Sequence, residues 1–209
     1  MPSCLNTLLT LLLLIPLVLT APTLTSLILN VHITSDSNTV PLTSTLPSPS
    51  GLQLRYIALG YGTQNYTCAS ASAVPVSIGA VATLYNATYL AAPVSASLIP
   101  SLPALALSTR SGLGLPVLGH HFFAPGSVPT FALDAATPAL ALSAKKAADV
   151  PAPAGGVKDS VDWLMLVDNG SGGTTGLKAV YRVETAGGSP NSTCTAAGGL
   201  QVAYAAEYW

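Results

Sequence analysis

At 209 residues the chain has the length of one ordinary domain with a substantial core. Only 7% of its residues are charged and the formal net charge is −1, against about 25% charged residues in an average soluble domain. No basic block is longer than Lys145-Lys146, so the electrostatic footprint of a nucleic-acid binder is missing, and Ser and Thr must supply much of the polar surface.

The N-terminus carries a 12-residue apolar run, Leu8 to Leu19, broken by Pro16 and followed by the small residues Thr20 and Ala21. It is too short to span a bilayer and has the form of a secretory signal peptide, assigned here to residues 1–21. Removal of the leader takes Cys4 with it and leaves Cys68 and Cys194, an even pair that an oxidising compartment would join as a disulfide. Sequons at Asn65, Asn86, Asn169 and Asn191 mark N-glycosylation sites, and glycans would provide the solubility that charges do not. The expected location is extracellular, with no membrane association once the leader is gone.

Residues 22–49 are rich in Thr, Ser, Pro and Leu and are expected to form a flexible or loosely docked arm ahead of a β-rich domain over residues 50–209. From Leu52 to Cys68 the chain alternates: Leu52, Leu54, Tyr56 and Ala58 share one face, and beyond Gly60 and Gly62 the residues Gln64, Tyr66 and Cys68 share another. The two glycines point to a bulge or a close backbone approach. Val81 to Leu90 is rich in β-branched and aromatic residues and predicts a long strand or a strand pair, with Asn86 at a turn.

Ala91 to Leu118 contains four prolines and little periodicity, and is expected to be a long surface loop with at most one short strand. Gly119 to Leu133 predicts a hairpin about a Pro-Gly turn, and Asp134 to Lys158 a further Ala/Pro/Gly loop. Val161 to Val167 is a continuous apolar run, as in a strand buried on both faces. Leu177 to Thr185 alternates, with Ala179, Tyr181 and Val183 expected to face inward and Lys178, Arg182 and Glu184 outward. Gln201 to Trp209 places Val202, Tyr204 and Tyr208 on one face and Gln201 and Glu207 on the other. No segment shows a helical period. The fold class is all-β: a single-domain β-sandwich or partly closed barrel with long Pro/Ala/Gly loops.

In order along the chain, GYGTQNYTC, GAVATLYNAT, the GHHFF and PTF pair, VDWLML, YRVETAGG, the late cysteine and YAAEYW resemble a family of secreted fungal proteins with bacterial relatives. That family is catalogued as domain of unknown function 3455, and the likeness runs from about Leu46 to Trp209. It implies an extracellular β-rich domain, and a histidine that relatives keep falls at His121. Relatives carry an acidic residue after the PTF phenylalanine, where this chain has Ala132. Some members bear a malate dehydrogenase label, but the chain has neither a G-x-G-x-x-G turn nor alternating β and α units to hold a dinucleotide.

Chemistry-bearing residues are sparse. His120 and His121 are strand neighbours that point to opposite faces and so do not share a metal ion; His121 is the candidate of the two. Asp162, Glu184 and Glu207 are the candidate catalytic carboxylates, although surface placement of Glu184 and Glu207 is expected. There is no G-x-S-x-G nucleophile elbow. The aromatic residues suit a core, and any exposed ones could stack on sugar rings. No cofactor is expected. The sequence therefore points to a non-catalytic binding or structural role, with a cell-wall polysaccharide or a host surface as partner. The alternative is a wall-acting hydrolase built on His121 and one of the acids.

Overall fold

Small residues alternating with large ones along successive strands allow a sheet to curl on itself, because each Ala or Gly makes room for a neighbour's ring. The computed structural model describes residues 46–91, 96–154, 156–190 and 192–209; the expected leader, most of the arm and Asn191 lie outside the described residues. The strands are β1 (Ala58–Cys68), β2 (Val76–Asn86), β3 (Val117–Ala124), β4 (Val128–Leu133), β5 (Leu140–Val150), β6 (Trp163–Asp168), β7 (Ala179–Gly187) and β8 (Gly198–Tyr208). Each pairs antiparallel with the next, and β1 pairs with β8, which closes an eight-stranded barrel. Of the two all-β architectures consistent with the sequence, the barrel forms.

The seam is continuous, from Ala58 opposite Tyr208 to Cys68 opposite Gly198. Closure on this register brings backbones and rings close together. A Cβ on Gly60 would lie 2.4 Å from the Tyr208 ring, and one on Gly62 would lie 1.9 Å from the Val81 carbonyl oxygen of β2. Only glycine fits at either position, so the close approach expected from the sequence is a packing requirement of β1 against both of its neighbours, β8 at Gly60 and β2 at Gly62.

The interior row consists of small residues facing large ones: Ala58, Ala80, Ala82 and Ala206 against Leu84, Phe131, Leu142, Tyr204 and Tyr208. The outer wall is covered in two places. Ile57, Leu59 and Ala205 lie beneath Ile99, Leu102 and Ala106, which belong to a 3-10 helix (Ala96–Ser101) and to helix α1 (Leu102–Thr109). Trp163, Tyr181 and Val183 lie beneath Leu46, and the Tyr181 hydroxyl donates to the Pro47 carbonyl at 2.9 Å. The end of the arm is thus docked on the barrel.

Three expectations are corrected. The stretch read as a loop between Ala91 and Leu118 contains α1, whose periodicity was invisible because Leu105 on its open side is as apolar as the buried Leu102 and Ala106. The stretch from Asp134 to Lys158 contains β5; its Leu140, Leu142 and Ala144 row is apolar, but Ala and Lys are poor strand formers and hid it. In β7 the two faces are exchanged. Tyr181 and Val183 pack outside the wall, while Val180 and Arg182 face the lumen, opposite Leu166 and Leu164. Both faces of β7 are covered, so the more apolar row does not reveal which one lines the barrel.

Cys68, at the end of β1, is bridged to Cys194, just before β8, with a sequence separation of 126. Closing a loop of that length in the unfolded chain is worth about 4–5 kcal/mol in the chain-entropy account. Replacing both cysteines by serine is expected to shift the urea midpoint downward by an amount approaching that loss. An unchanged midpoint would show that the seam holds without the bridge.

Candidate functional site

The two ends of the barrel differ. At the disulfide end the lumen is plugged: the Tyr66 hydroxyl donates to the Gly188 carbonyl at 2.8 Å. Gly188 itself sits so tightly that a Cβ there would lie about 3.0 Å from both Gln64 and Val161. At the opposite end a cavity of about 640 Å3 opens to solvent. Ala58, Leu84, Leu118, Phe131, Leu133, Val180 and Tyr208 form its interior wall, and segments 49–56 and 176–181 form its rim. Apart from Tyr208 the interior wall is apolar. Arg55 and Lys178 at the rim are exposed, and no acidic side chain lines the space.

Below the cavity lies a buried polar layer. The Tyr208 and Tyr204 hydroxyls are 2.9 Å apart and hydrogen-bonded to each other. Burial raises the pKa of Tyr208 and raises that of Tyr204 well above the ordinary value, so both are neutral donors and acceptors. Arg182 supplies the positive charge of this layer; its Nε and Nη2 donate to the Asp162 carbonyl at 3.1 and 2.8 Å. The guanidinium lowers the proton affinity of Tyr208, Tyr204 and His121, but burial is the larger influence on each.

His121 is buried and stacks on Phe131 with ring centroids 4.2 Å apart. The Thr130 carbonyl can only accept, so the 2.9 Å contact to it places the proton on Nδ1. Desolvation lowers the His121 pKa from 6.5 to about 4, and the Thr130 bond opposes that shift only in part. His120 is exposed on the other face of the strand. Among the described residues no group of three or more His, Cys, Asp or Glu side chains could hold a metal ion.

The candidate carboxylates are separated from His121. Asp162 is exposed and contributes only its backbone carbonyl to Arg182. Glu207 lies between Ala206 and Tyr208, both of the interior cluster, and so faces outward, but it is only 1% exposed. Its Oε2 accepts from Trp209 Nε1 at 2.7 Å, and Oε1 has no hydrogen-bond partner. Desolvation raises the Glu207 pKa from 4.5 to about 8, the Trp209 bond opposes the rise, and the charge of Glu184 adds to it. Glu207 thus lies outside the wall, within electrostatic reach of Glu184, and His121 lies inside it.

Sequence reasoning missed the cavity itself and the lumenal Arg182, because both depend on which face of β7 is enclosed. The sequon residues Asn65, Asn86 and Asn169 are half-buried. The Asn65 amide oxygen accepts from Thr63 Oγ1 at 3.0 Å, and that of Asn86 from the Thr88 N–H at 3.0 Å.

A closed meander barrel with one plugged end, one open apolar cavity and a disulfide beside its seam defines a pocket-bearing all-β domain. The chain belongs to the family described as Protein of unknown function (DUF3455), whose profile matches residues 49–209. No curated protein and no solved structure matches it.

Two buried groups make stability depend on pH in opposite senses. Between about pH 4 and 6.5 the unfolded chain protonates His121 and the folded chain does not, so stability falls as pH drops through that window, by about 3 kcal/mol. Between 4.5 and about 8 the unfolded chain ionises Glu207 and the folded chain does not, so this residue lowers stability as pH rises. Urea titrations across pH are expected to show Glu207→Gln more stable than the parent at about pH 9 and equal to it near pH 4. His121→Phe is expected to flatten the acid limb. Parallel curves for parent and variants would exclude both assignments.

Proposed function

We propose that the protein is a secreted, N-glycosylated, non-catalytic binding protein that takes one small, largely apolar molecule into the open end of its barrel. The cavity carries this reading. An eight-stranded barrel either fills its interior with side chains or keeps room for one small ligand, and a space of about 640 Å3 falls within the range of small-molecule sites. Secretion and glycosylation are supported by the leader-like run, the four sequons and the disulfide.

A role at a cell wall or host surface fits carriage of such a molecule better than grip on a polymer. The large rings Phe131, Tyr204 and Tyr208 are inside the wall, where a polysaccharide chain does not reach. Hydrolysis is less well supported. His121 is stacked and bonded to a backbone carbonyl, and Glu207 lies on the far side of the wall from it.

Titration with the neutral, environment-sensitive dye Nile red is expected to give saturable binding at one site. Leu133→Trp fills the cavity and is expected to weaken binding at least tenfold while the thermal transition stays cooperative. Absence of saturable binding, or equal affinity in the filled variant, would overturn the reading. So would sugar release from insoluble wall polysaccharide incubated with the protein.

A further inference from the structure

Charge is scarce in this chain, so its placement is informative. There are seven Lys and Arg residues and eight Asp and Glu residues, yet two of the cations and none of the acids line the cavity. Lys146 and Lys158 are each within 4.0 Å of an aspartate, and Arg182 is held by the Asp162 carbonyl. Arg110 and Lys145 are exposed and form no ion pair among the described residues, and the same holds for Arg55 and Lys178, but only the latter two stand at the mouth of the cavity. The carboxylate influenced by Lys178 is Asp168, and its Oδ1 already accepts from the Gly170 N–H and from Thr174 Oγ1. Trp209, which also lines the cavity, accepts at its backbone oxygen from the Tyr181 N–H at 3.0 Å.

The rim therefore presents two exposed cationic side chains, and no acidic one, above an apolar well. A neutral ligand would use only the well. A cationic amphiphile would be repelled at the entrance. A ligand with an apolar body and one anionic head satisfies both parts, its body against Leu84, Leu118 and Leu133 and its head in water between the two cations. We infer that the cavity binds monoanionic amphiphiles of the fatty-carboxylate class, with Arg55 and Lys178 as the residues that select the anionic head. This inference rests on the binding reading above and adds the chemical class of the ligand. Because the two cations are exposed, the selection is modest and sensitive to salt: screened rim pairs discriminate by about fivefold, not by orders of magnitude.

The test is competition against bound Nile red on the full chain, using three probes with the same alkyl tail: dodecanoate, dodecanol and dodecyltrimethylammonium, each below its micelle concentration. Dodecanoate is expected to displace the dye at about one-fifth the concentration that dodecanol needs, with the ammonium probe weakest. The paired substitution Arg55→Gln and Lys178→Gln removes only exposed side chains. It is expected to abolish the preference for dodecanoate and leave dodecanol unchanged, and raised salt is expected to shrink the preference in the parent alone. Equal displacement by dodecanoate and dodecanol, or a preference that survives the paired substitution, would overturn anion selection while leaving the cavity as a binding site. Failure of the dye and all three probes to bind would overturn the binding reading and this inference with it.

Discussion

The pairing of β1 with β8 is the constraint on which the other features depend. Without it the sheet has two long exposed edges and no lumen; with it every strand is paired on both sides and the interior becomes a closed column. The register of this seam places Tyr208 against the start of β1 and leaves Tyr204 two steps of the alternation deeper, past Ala206. The disulfide lies just past the end of the same seam, so the unfolded chain is already restricted near the contact that closes the barrel.

Closure also divides the polar groups of the chain into three environments. The lumen holds Arg182, His121 and the tyrosine pair, whose hydrogen bonds to one another and to backbone carbonyls offset the cost of removing them from water. The covered outer wall holds Glu207, satisfied on one oxygen only, and burial there raises its pKa well above the ordinary carboxylate range. The rim holds Arg55 and Lys178 in water. A chain with so few charges has placed one cation where it organises a buried layer and two where they meet whatever enters the cavity.

The two barrel ends follow from chain connectivity. Near the disulfide, the turn residues Gly187 and Gly188 and the segment before β6 fold across the opening, with Ser160 bridged to Gly188. At the other end, the entry segment before β1 and the loop before β7 pass beside the opening and form a rim. The barrel is thus a cup rather than a tube. Its volume is set by the alanines of β1, β2 and β8, which leave room that larger residues would have filled.

Much of this was legible in the sequence. Alternation placed β1, β7 and β8, a Pro-Gly turn placed the β3–β4 hairpin and a continuous apolar run placed β6, because each of these signals is a local property of the chain. Counting cysteines gave the Cys68–Cys194 bridge, since only one pairing was available once Cys4 was set aside. The opposite faces of His120 and His121 also follow from strand geometry, and the structure has one exposed and the other buried. Three things required the tertiary structure. Helix α1 has no polar face to reveal it, and β5 is built from residues with little strand preference. The inward side of β7 is settled by which of its two covered faces the closed sheet encloses, and that choice makes Arg182 lumenal. The cavity is the difference between the volume that closure encloses and the volume the inward side chains fill, so only the closed barrel could show that the open end is empty.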